Sequence, residues 1–289
     1  MNIAVLSDIH GNLPALNAVL NDIQNKNIDK ILVAGDHITD FPEINEILQT
    51  LQELTPYVIK GNREQLLIEN AKDSFGNDWE IYDQFSSHAA AFRLLKPKEL
   101  SYIQSMPEQI SLDIDEDFSI RMVHGSPFDM SEAIYEHDVD LMMRCTGAIS
   151  EKLLICGHTH RPMLKYVGEK IILNPGSVGV SYCGNTTAQY IIIRYNADGL
   201  KFEMREIQYD FSELQKACKA ALKDGYSKIW LSLLLRSVKD GKDYNFAFLN
   251  EVMKNTEKHG IQTFPIPNDM WNKTYDSWAV KDPLFLNVI

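Results

Sequence analysis

Met1-Asn2-Ile3-Ala4-Val5-Leu6-Ser7-Asp8-Ile9-His10 is an apolar run that stops abruptly on an acid and an imidazole. Asn2–Leu6 is short and nearly all apolar, as suits a strand buried on both faces. Leu13, Leu16, Val19, Leu20 and Ile23 follow at helical spacing, with Pro14 near the helix start. Ile31–Ala34 repeats the strand pattern and runs into Gly35-Asp36. Ile44, Ile47, Leu48, Leu51 and Leu54 mark a second amphipathic helix behind Pro42 and Glu43. Tyr57–Ile59 is a third strand, leading to Gly61-Asn62-Arg63-Glu64. Strand and helix in strict alternation predict parallel strands joined by crossover helices.

Outward from that core the pattern changes twice. Residues from about 63 to 105 read as helical. Strands return at Gln109–Ile114 and Ser119–Val123, around the acidic turn Asp115-Glu116-Asp117, and again at Leu153–Cys156. From Met163 to Ile207 the reading is all strand, in four runs: Met163–Val167, Lys170–Asn174, Ala188–Tyr195 and Leu200–Ile207. Gly168-Glu169 and Asn196-Ala197-Asp198-Gly199 supply turns. After Asp210 the pattern is helical to the end. The expected organisation is therefore a domain over residues 1–210 with a helical insert at about 63–105, and a C-terminal helical extension, 211–289, packed on it.

The chain has 289 residues, enough for a full core without staples. Its 28 Lys+Arg against 40 Asp+Glu give a net charge of −12. That balance argues against nucleic acid or an anionic membrane as a partner, since binding a polyanion rests on surplus cations. It leaves room for a small phosphorylated substrate held by metal. No apolar run approaches the length of a membrane span, and the N-terminus lacks the basic region of a secretory signal. Cys145, Cys156, Cys183 and Cys218 form no C-x-x-C pair and read as reduced core thiols, so a cytoplasmic location is expected. The oligomeric state is left open.

Five segments concentrate metal-ligating residue types: Asp8-Ile9-His10, Gly35-Asp36, Gly61-Asn62-Arg63-Glu64, His124-Gly125 and Gly157-His158-Thr159-His160. Each follows an apolar run read as a strand. In open α/β sheets, sites form beyond the carboxyl ends of strands, so five distant segments can meet on one rim. Carboxylates, imidazoles and an amide suit Mn, Fe or Zn, and the absence of thiolate argues against a structural zinc of the finger type. In Asp8-x-His10 and His158-x-His160 alternate residues point the same way and can reach one centre. Seven candidate ligands exceed what one ion with open positions takes; they suffice for two ions sharing a carboxylate.

These motifs, in this order and spacing, resemble the calcineurin-like metallophosphoesterase superfamily, over about Met1 to Ile207. Asn174-Pro175-Gly176-Ser177 and His124-Gly125-Ser126-Pro127 further resemble its small bacterial branch of phosphodiesterases and dinucleoside polyphosphate hydrolases. The resemblance implies an α/β fold, a four-layer αββα sandwich with a two-metal site at the strand ends. It implies Asp8, His10 and His160 around one ion, Asn62, His124 and His158 around the other, and Asp36 between them. Mn and Fe lead as the expected metals, with Zn, Ni and Co compatible. The implied nucleophile is a hydroxide shared by the ions, with Asp36, His124 and Arg63 in the catalytic set and Arg63, Asn62 and Ser126 toward substrate. The implied activity is hydrolysis of a phosphodiester or phosphoanhydride. Alternatives are a phosphomonoesterase or protein phosphatase on the same site, and a non-catalytic binding scaffold that keeps the fold.

The sequence departs from the family pattern at three points. Where relatives commonly carry Gly-Asn-His, this chain has Arg63. Arginine stays protonated and cannot act as a general acid, but it can grip phosphate oxygens in parallel. Leaving groups that need no protonation are then favoured, which points to anhydrides such as dinucleoside polyphosphates. The loop after Asp36 lacks the glycine often found there, and the chain continues well past the last strand. His37, His88, His137 and His259 lie outside the motifs and read as ordinary core or surface histidines, although a lid-like insert would bring His88 over the site. Asp113 and Asp115-Glu116-Asp117 read as a solvated hairpin tip. Tyr226, Trp230, Phe246, Phe248, Trp271, Tyr275 and Trp278 read as packing for the C-terminal helices.

Overall fold

The computed structural model describes residues 1–72, 78–261 and 264–281. Its first half runs β1 (Asn2–Leu6), α1 (Leu13–Ile23), β2 (Lys30–Ala34), α2 (Ile44–Leu54) and β3 (Val58–Ile59). The helical insert follows as α3 (Asn62–Asn70), α4 (Asp78–Ile81), α5 (Ser86–Leu94) and α6 (Pro97–Ser105). Then come β4 (Gln109–Asp113), β5 (Ser119–Val123), α7 (Val139–Gly147), β6 (Leu153–Ile155), β7 (Met163–Val167), β8 (Lys170–Asn174), β9 (Ala188–Asn196) and β10 (Gly199–Ile207). The C-terminal helices are α8 (Phe211–Ala221), α9 (Lys228–Asp240), α10 (Tyr244–Lys258) and α11 (Asn268–Lys281). Residues 73–77 of the expected insert, and 262–263 and 282–289 of the expected C-terminal helices, lie outside the described residues.

The strands form two sheets, ordered β10-β9-β1-β2-β3 and β4-β5-β6-β8-β7. β1, β2 and β3 are parallel, as the alternating pattern predicts, and β9 closes on β1 antiparallel. The period of two along β1 sorts its side chains between layers. Ile3 and Val5 face the second sheet, packing with Ile120, Met122, Leu153, Ile155 and Leu173. Ala4 and Leu6 face outward and are covered by Leu16 and Val19 of α1, Ile47 and Leu48 of α2, Leu67 of α3 and Ile103 of α6. On the far side, Leu141, Met142 and Cys145 of α7 cover Leu154 and Ile172. The architecture is the expected αββα sandwich.

The sequence reading missed α7. Its apolar residues do not form one clean stripe, because Val139 and Met143 are exposed while Leu141, Met142 and Cys145 are buried. Asp138 starts the helix by accepting from the Leu141 N–H at 3.1 Å. Cys183 is a correction: it is exposed on the loop between β8 and β9, whereas Cys145, Cys156 and Cys218 are buried as expected. The acidic turn is a hairpin tip, with Asp115 Oδ1 accepting from the N–H groups of Asp117 and Phe118.

Helix replaces strand after Asp210, whose carboxylate accepts from the Ser212 N–H at 2.8 Å. α8 and α9 pack on the sandwich through Leu214, Cys218, Leu231, Leu234 and Leu235, against Phe41, Ala90 and Val180. α9, α10 and α11 share a second small core of Leu233, Phe248, Val252, Met270 and Trp271.

Candidate metal centre

Every ligand-bearing segment leaves the carboxyl end of a strand, and the loops are stitched to one another by backbone. The N–H groups of Asp8, His10 and Gly11 donate to the carbonyls of Gly35, Asp36 and His37 at 2.9–3.1 Å. Gly157 N–H donates to His124 O at 2.7 Å, and Gly179 N–H to Asp8 O at 2.9 Å. Asp8, His10, Asp36, His158 and His160 all have positive φ, between 51° and 67°. Non-glycine residues rarely take that conformation, and clusters of it mark functional sites. Two glycines allow the crowding. A Cβ at Gly61 would collide with the Asp36 carboxylate, and one at Gly157 with Ser7 Oγ.

Glu64 carries the second loop. Fully buried, it accepts from Gly61, Asp36, His37 and Ile38 N–H groups at 2.8–3.2 Å. Asp36 Oδ1 takes the Arg63 N–H at 2.8 Å, at the positive end of α3. Asn174 and Ser177 buttress the other loops. Asn174 Nδ2 donates to Gly157 O and Thr159 Oγ1, and Ser177 Oγ donates to Asp8 O. The Asn-Pro-Gly-Ser segment thus holds ligand loops in place.

Among the described residues two groups of potential ligands result: Asp8, His10 and His160, all buried, and Asp36, His124 and the partly exposed His158. Asp36 Oδ2 stands 3.7 Å from His10 Nε2 and 3.3 Å from His124 Nε2, so one oxygen reaches both groups. Asn62 Oδ1 lies 3.1 Å from His124 Nε2. The donor set fits metal. His124 Nδ1 donates to Ala34 O at 2.7 Å and His160 Nδ1 to Val180 O at 2.6 Å, while His10 Nδ1 lies 2.8 Å from the Asp40 carboxylate. Those bonds fix the tautomers and turn each Nε2 lone pair inward. His10 and His160 Nε2 then face each other at 3.1 Å, with Asp8 Oδ1 3.4 Å from His160 Nε2. Acceptors packed against acceptors call for a cation.

The electrostatics agree. Burial disfavours charge on His10, yet its bonds to Asp40 and Asp8 and the Asp36 charge push it up to about 10. Burial likewise opposes charge on His124, and Asp36 outweighs it, raising it to about 9. Asp8 is buried too, but His160 and His10 hold it down to about 2. Despite burial, Asp36 is held well below the usual carboxylate range by His124, His10 and Arg63. The site takes protons where a cation belongs.

Arg63 lies at the edge of this cluster, its Nη2 3.6 Å from Asp40 Oδ2 and its Nε 4.0 Å from Asp36 Oδ2. His88, read from sequence as ordinary, accepts from Arg63 Nη1 at 2.9 Å. Burial and the Arg63 charge push His88 down to about 4, so it stays a neutral acceptor. His37 is buried in the loop, with Nε2 2.8 Å from Ile59 O, as expected of a core histidine. Ser126, expected toward substrate, has its hydroxyl engaged in its own loop, donating to Glu132 and accepting from Phe128 and Asp129 N–H.

A cavity of about 270 Å³ opens on the cluster, lined on one side by His10, Asp36, Asn62, Arg63, His158 and His160. Tyr182, Trp230, Asp243 and Phe246 complete the lining. Tyr182 stacks on His160 with ring centres 4.6 Å apart. Trp230 Nε1 donates to Asp40 Oδ1 at 3.1 Å, while the other Asp40 oxygen holds His10. Of the aromatics read as packing, Phe248, Trp271, Tyr275 and Trp278 pack together, but Trp230 and Phe246 reach the site. No periodic signal marks them; Asp40, Glu64 and His88 were equally silent because their roles depend on contacts far along the chain.

The calcineurin-like phosphoesterase superfamily domain matches residues 1–198. An uncharacterized protein of Methanocaldococcus jannaschii is 29% identical over 233 residues, 73% of this chain and 89% of its own length. A probable metallophosphoesterase of the same organism is 27% identical over 190 residues, 63% of this chain and 71% of its own. The metallophosphoesterase crystal structure from Sphaerobacter thermophilus matches with a TM-score of 0.67 at 26% identity, covering 82% of this chain and all but 1% of its own, that is 99%. A hypothetical protein from Pyrococcus horikoshii superposes at a TM-score of 0.70 with 19% identity, over 84% of this chain and 99% of its own, a likeness of fold. With the domain match spanning most of the chain and the ligand types gathered at the strand ends, this protein belongs to the calcineurin-like phosphoesterase superfamily and is a metal-dependent phosphoric ester hydrolase.

Proposed function

We propose that the chain is a dinuclear-metal phosphoesterase that hydrolyses a phosphodiester or phosphoanhydride bond of a small substrate, dinucleoside polyphosphates foremost. The observation that carries the reading is the single Asp36 oxygen within reach of both ligand groups. Asp8, His10 and His160 would hold one ion, Asn62, His124 and His158 the other, and Asp36 both. Mn or Fe suits these oxygen and imidazole donors. Two such ions supply hydroxide at neutral pH and neutralise charge on the transferred group.

The protein's own part is orientation. Asp40 fixes the His10 ring, and Ala34 and Val180 carbonyls fix His124 and His160. Arg63 offers a guanidinium on the open side of the cluster, held by Asp40 and His88. It would bind phosphoryl oxygens and stabilise charge as it builds, without giving up a proton. That role favours leaving groups that depart as stable anions. The wall of Trp230, Asp243 and Phe246 limits the site to a small substrate, and its acid at Asp243 disfavours a long polyanion.

The test is product-resolved hydrolysis of diadenosine tetraphosphate, an aryl phosphodiester and an aryl phosphomonoester, with Mn²⁺ and with chelator. Metal counting on the same preparation gives the stoichiometry. Chelator-sensitive cleavage of the tetraphosphate above the others, with two ions per chain, is expected. A preference for the monoester overturns the substrate assignment. Absence of metal-dependent turnover on all three overturns the reading itself.

A further inference from the structure

A second cavity, of about 390 Å³, lies behind Arg63 and within the size range of small-molecule sites. Its walls are mostly apolar: Leu66, Trp79, Phe85 and Phe264. Its polar residues are Arg63, His88 and Asp78. Three observations give it an occupant. Arg63 lines both this cavity and the one over the ligand cluster, so a phosphate gripped there has its substituent at the cavity's entrance. Phe264 is 77% exposed, an aromatic at the rim whose ring meets Phe85 edge-on at 5.8 Å. His88 is buried and accepts from Arg63 through Nε2, so its proton sits on Nδ1, which has no partner among the described residues.

We propose that this cavity receives the flat heteroaromatic group of the substrate, a nucleobase or its like, with the attached phosphate on Arg63. Aromatic walls stack on a ring of any base. A lone buried N–H asks for an acceptor such as a ring nitrogen, since an unmatched buried donor costs free energy. Among the described lining residues Arg63 is the one cation, and Asp78 repels a second phosphate. A neutral group therefore goes in, and the charged end stays at the metal side. The inference rests on the phosphoesterase reading for the placement of the phosphate.

The test compares adenosine 5′-monophosphate with methyl phosphate, by calorimetric titration of the Mn²⁺-loaded protein. The nucleotide is expected to bind about tenfold tighter or more, the scale of one stacked base. Leu66→Trp, which fills the cavity from a half-buried position, is expected to bring the nucleotide down to methyl phosphate and leave methyl phosphate unchanged. Phe264→Ala, at an exposed rim position where folding is not at stake, is expected to weaken the nucleotide about fivefold. Equal binding of the two ligands by the wild type, or a gap that neither variant alters, overturns the cavity assignment. If the gap and its loss are seen while the hydrolysis panel stays silent, the catalytic reading falls and the nucleobase site stands. If hydrolysis proceeds equally well on nucleosidyl and methyl esters, the nucleobase site falls and the catalytic reading stands.

Discussion

The loops at the strand ends and the helices that wall them hold their residues by different means. The loop residues are fixed within their neighbourhood: Asp8, His10, Asp36, His158 and His160 by a left-handed backbone, His124 and His160 by a carbonyl on the ring, and the loops by hydrogen bonds to one another. The wall residues are fixed by long reach. Trp230 meets Asp40 across 190 residues, and His88 meets Arg63 from another helix. The first arrangement builds chemistry that tolerates little change. The second adjusts it, and decides what can enter.

Substitutions separate the two. The largest effect is expected at Asp36→Ala, which removes the oxygen common to both groups. kcat/KM should fall by more than about 1,000-fold, beyond the usual loss for one electrostatic group, and bound metal should drop below two per chain. Full metal content with a mild kinetic loss would break the claim that Asp36 joins the groups. Next comes Arg63→Ala, with a loss of about 10²–10³ in kcat and metal content unchanged. An alkyl phosphoester should suffer no more than an anhydride; selective loss of the alkyl ester would mean that proton donation passes through this position. Trp230→Phe keeps an aromatic ring of smaller size and deletes one hydrogen bond to Asp40. About 1 kcal/mol, or roughly fivefold in metal affinity or kcat/KM, is expected. A loss as large as that of Arg63 would place the wall within the catalytic set.

A site remote from both regions supplies the control. Glu151 is buried, which opposes its charge, but Ser111 and Arg121 hold it down to about 2. A carboxyl depressed on folding stabilises the protein above its unfolded value, near 4.5, and that contribution is lost as pH falls toward 2. Glu151→Gln should cost about 1.5–3 kcal/mol at neutral pH and flatten the fall in stability between about pH 5 and 2. Turnover at neutral pH should not change. Denaturant melts at several pH values check the first part, and the hydrolysis assay checks the second.

The same division governs what the sequence tells. The gathering of Asp8, His10, Asp36, Asn62, His124, His158 and His160 at one rim was legible because each segment follows an apolar run directly, so strand periodicity fixes where it emerges. The sandwich was legible for the same reason: Ile3 and Val5 alternate with Ala4 and Leu6, and each pair demands its own cover. α7 was not, since its exposed Val139 and Met143 blur the stripe. Glu64 lies inside a recognised motif, but its role as acceptor for four backbone N–H groups appears only once two loops meet. His88 and Trp230 sit on helices whose local pattern reports packing alone. The turn that engages the Ser126 hydroxyl was likewise not legible, since its partner Glu132 carries no motif.

The 190-residue span between Asp40 and Trp230 also sets an order of assembly during synthesis. At about 5–20 residues per second, roughly 10–40 s separate the two residues on the ribosome. All seven candidate ligands have been made by His160, some seventy residues before Trp230 (230 − 160 = 70). During that interval the seven residues exist without the helical wall that lines the completed site. Trp230, Asp243 and Phe246 of the cavity wall all follow the seven in sequence, so the residues that line the wall are the last of the site to be made.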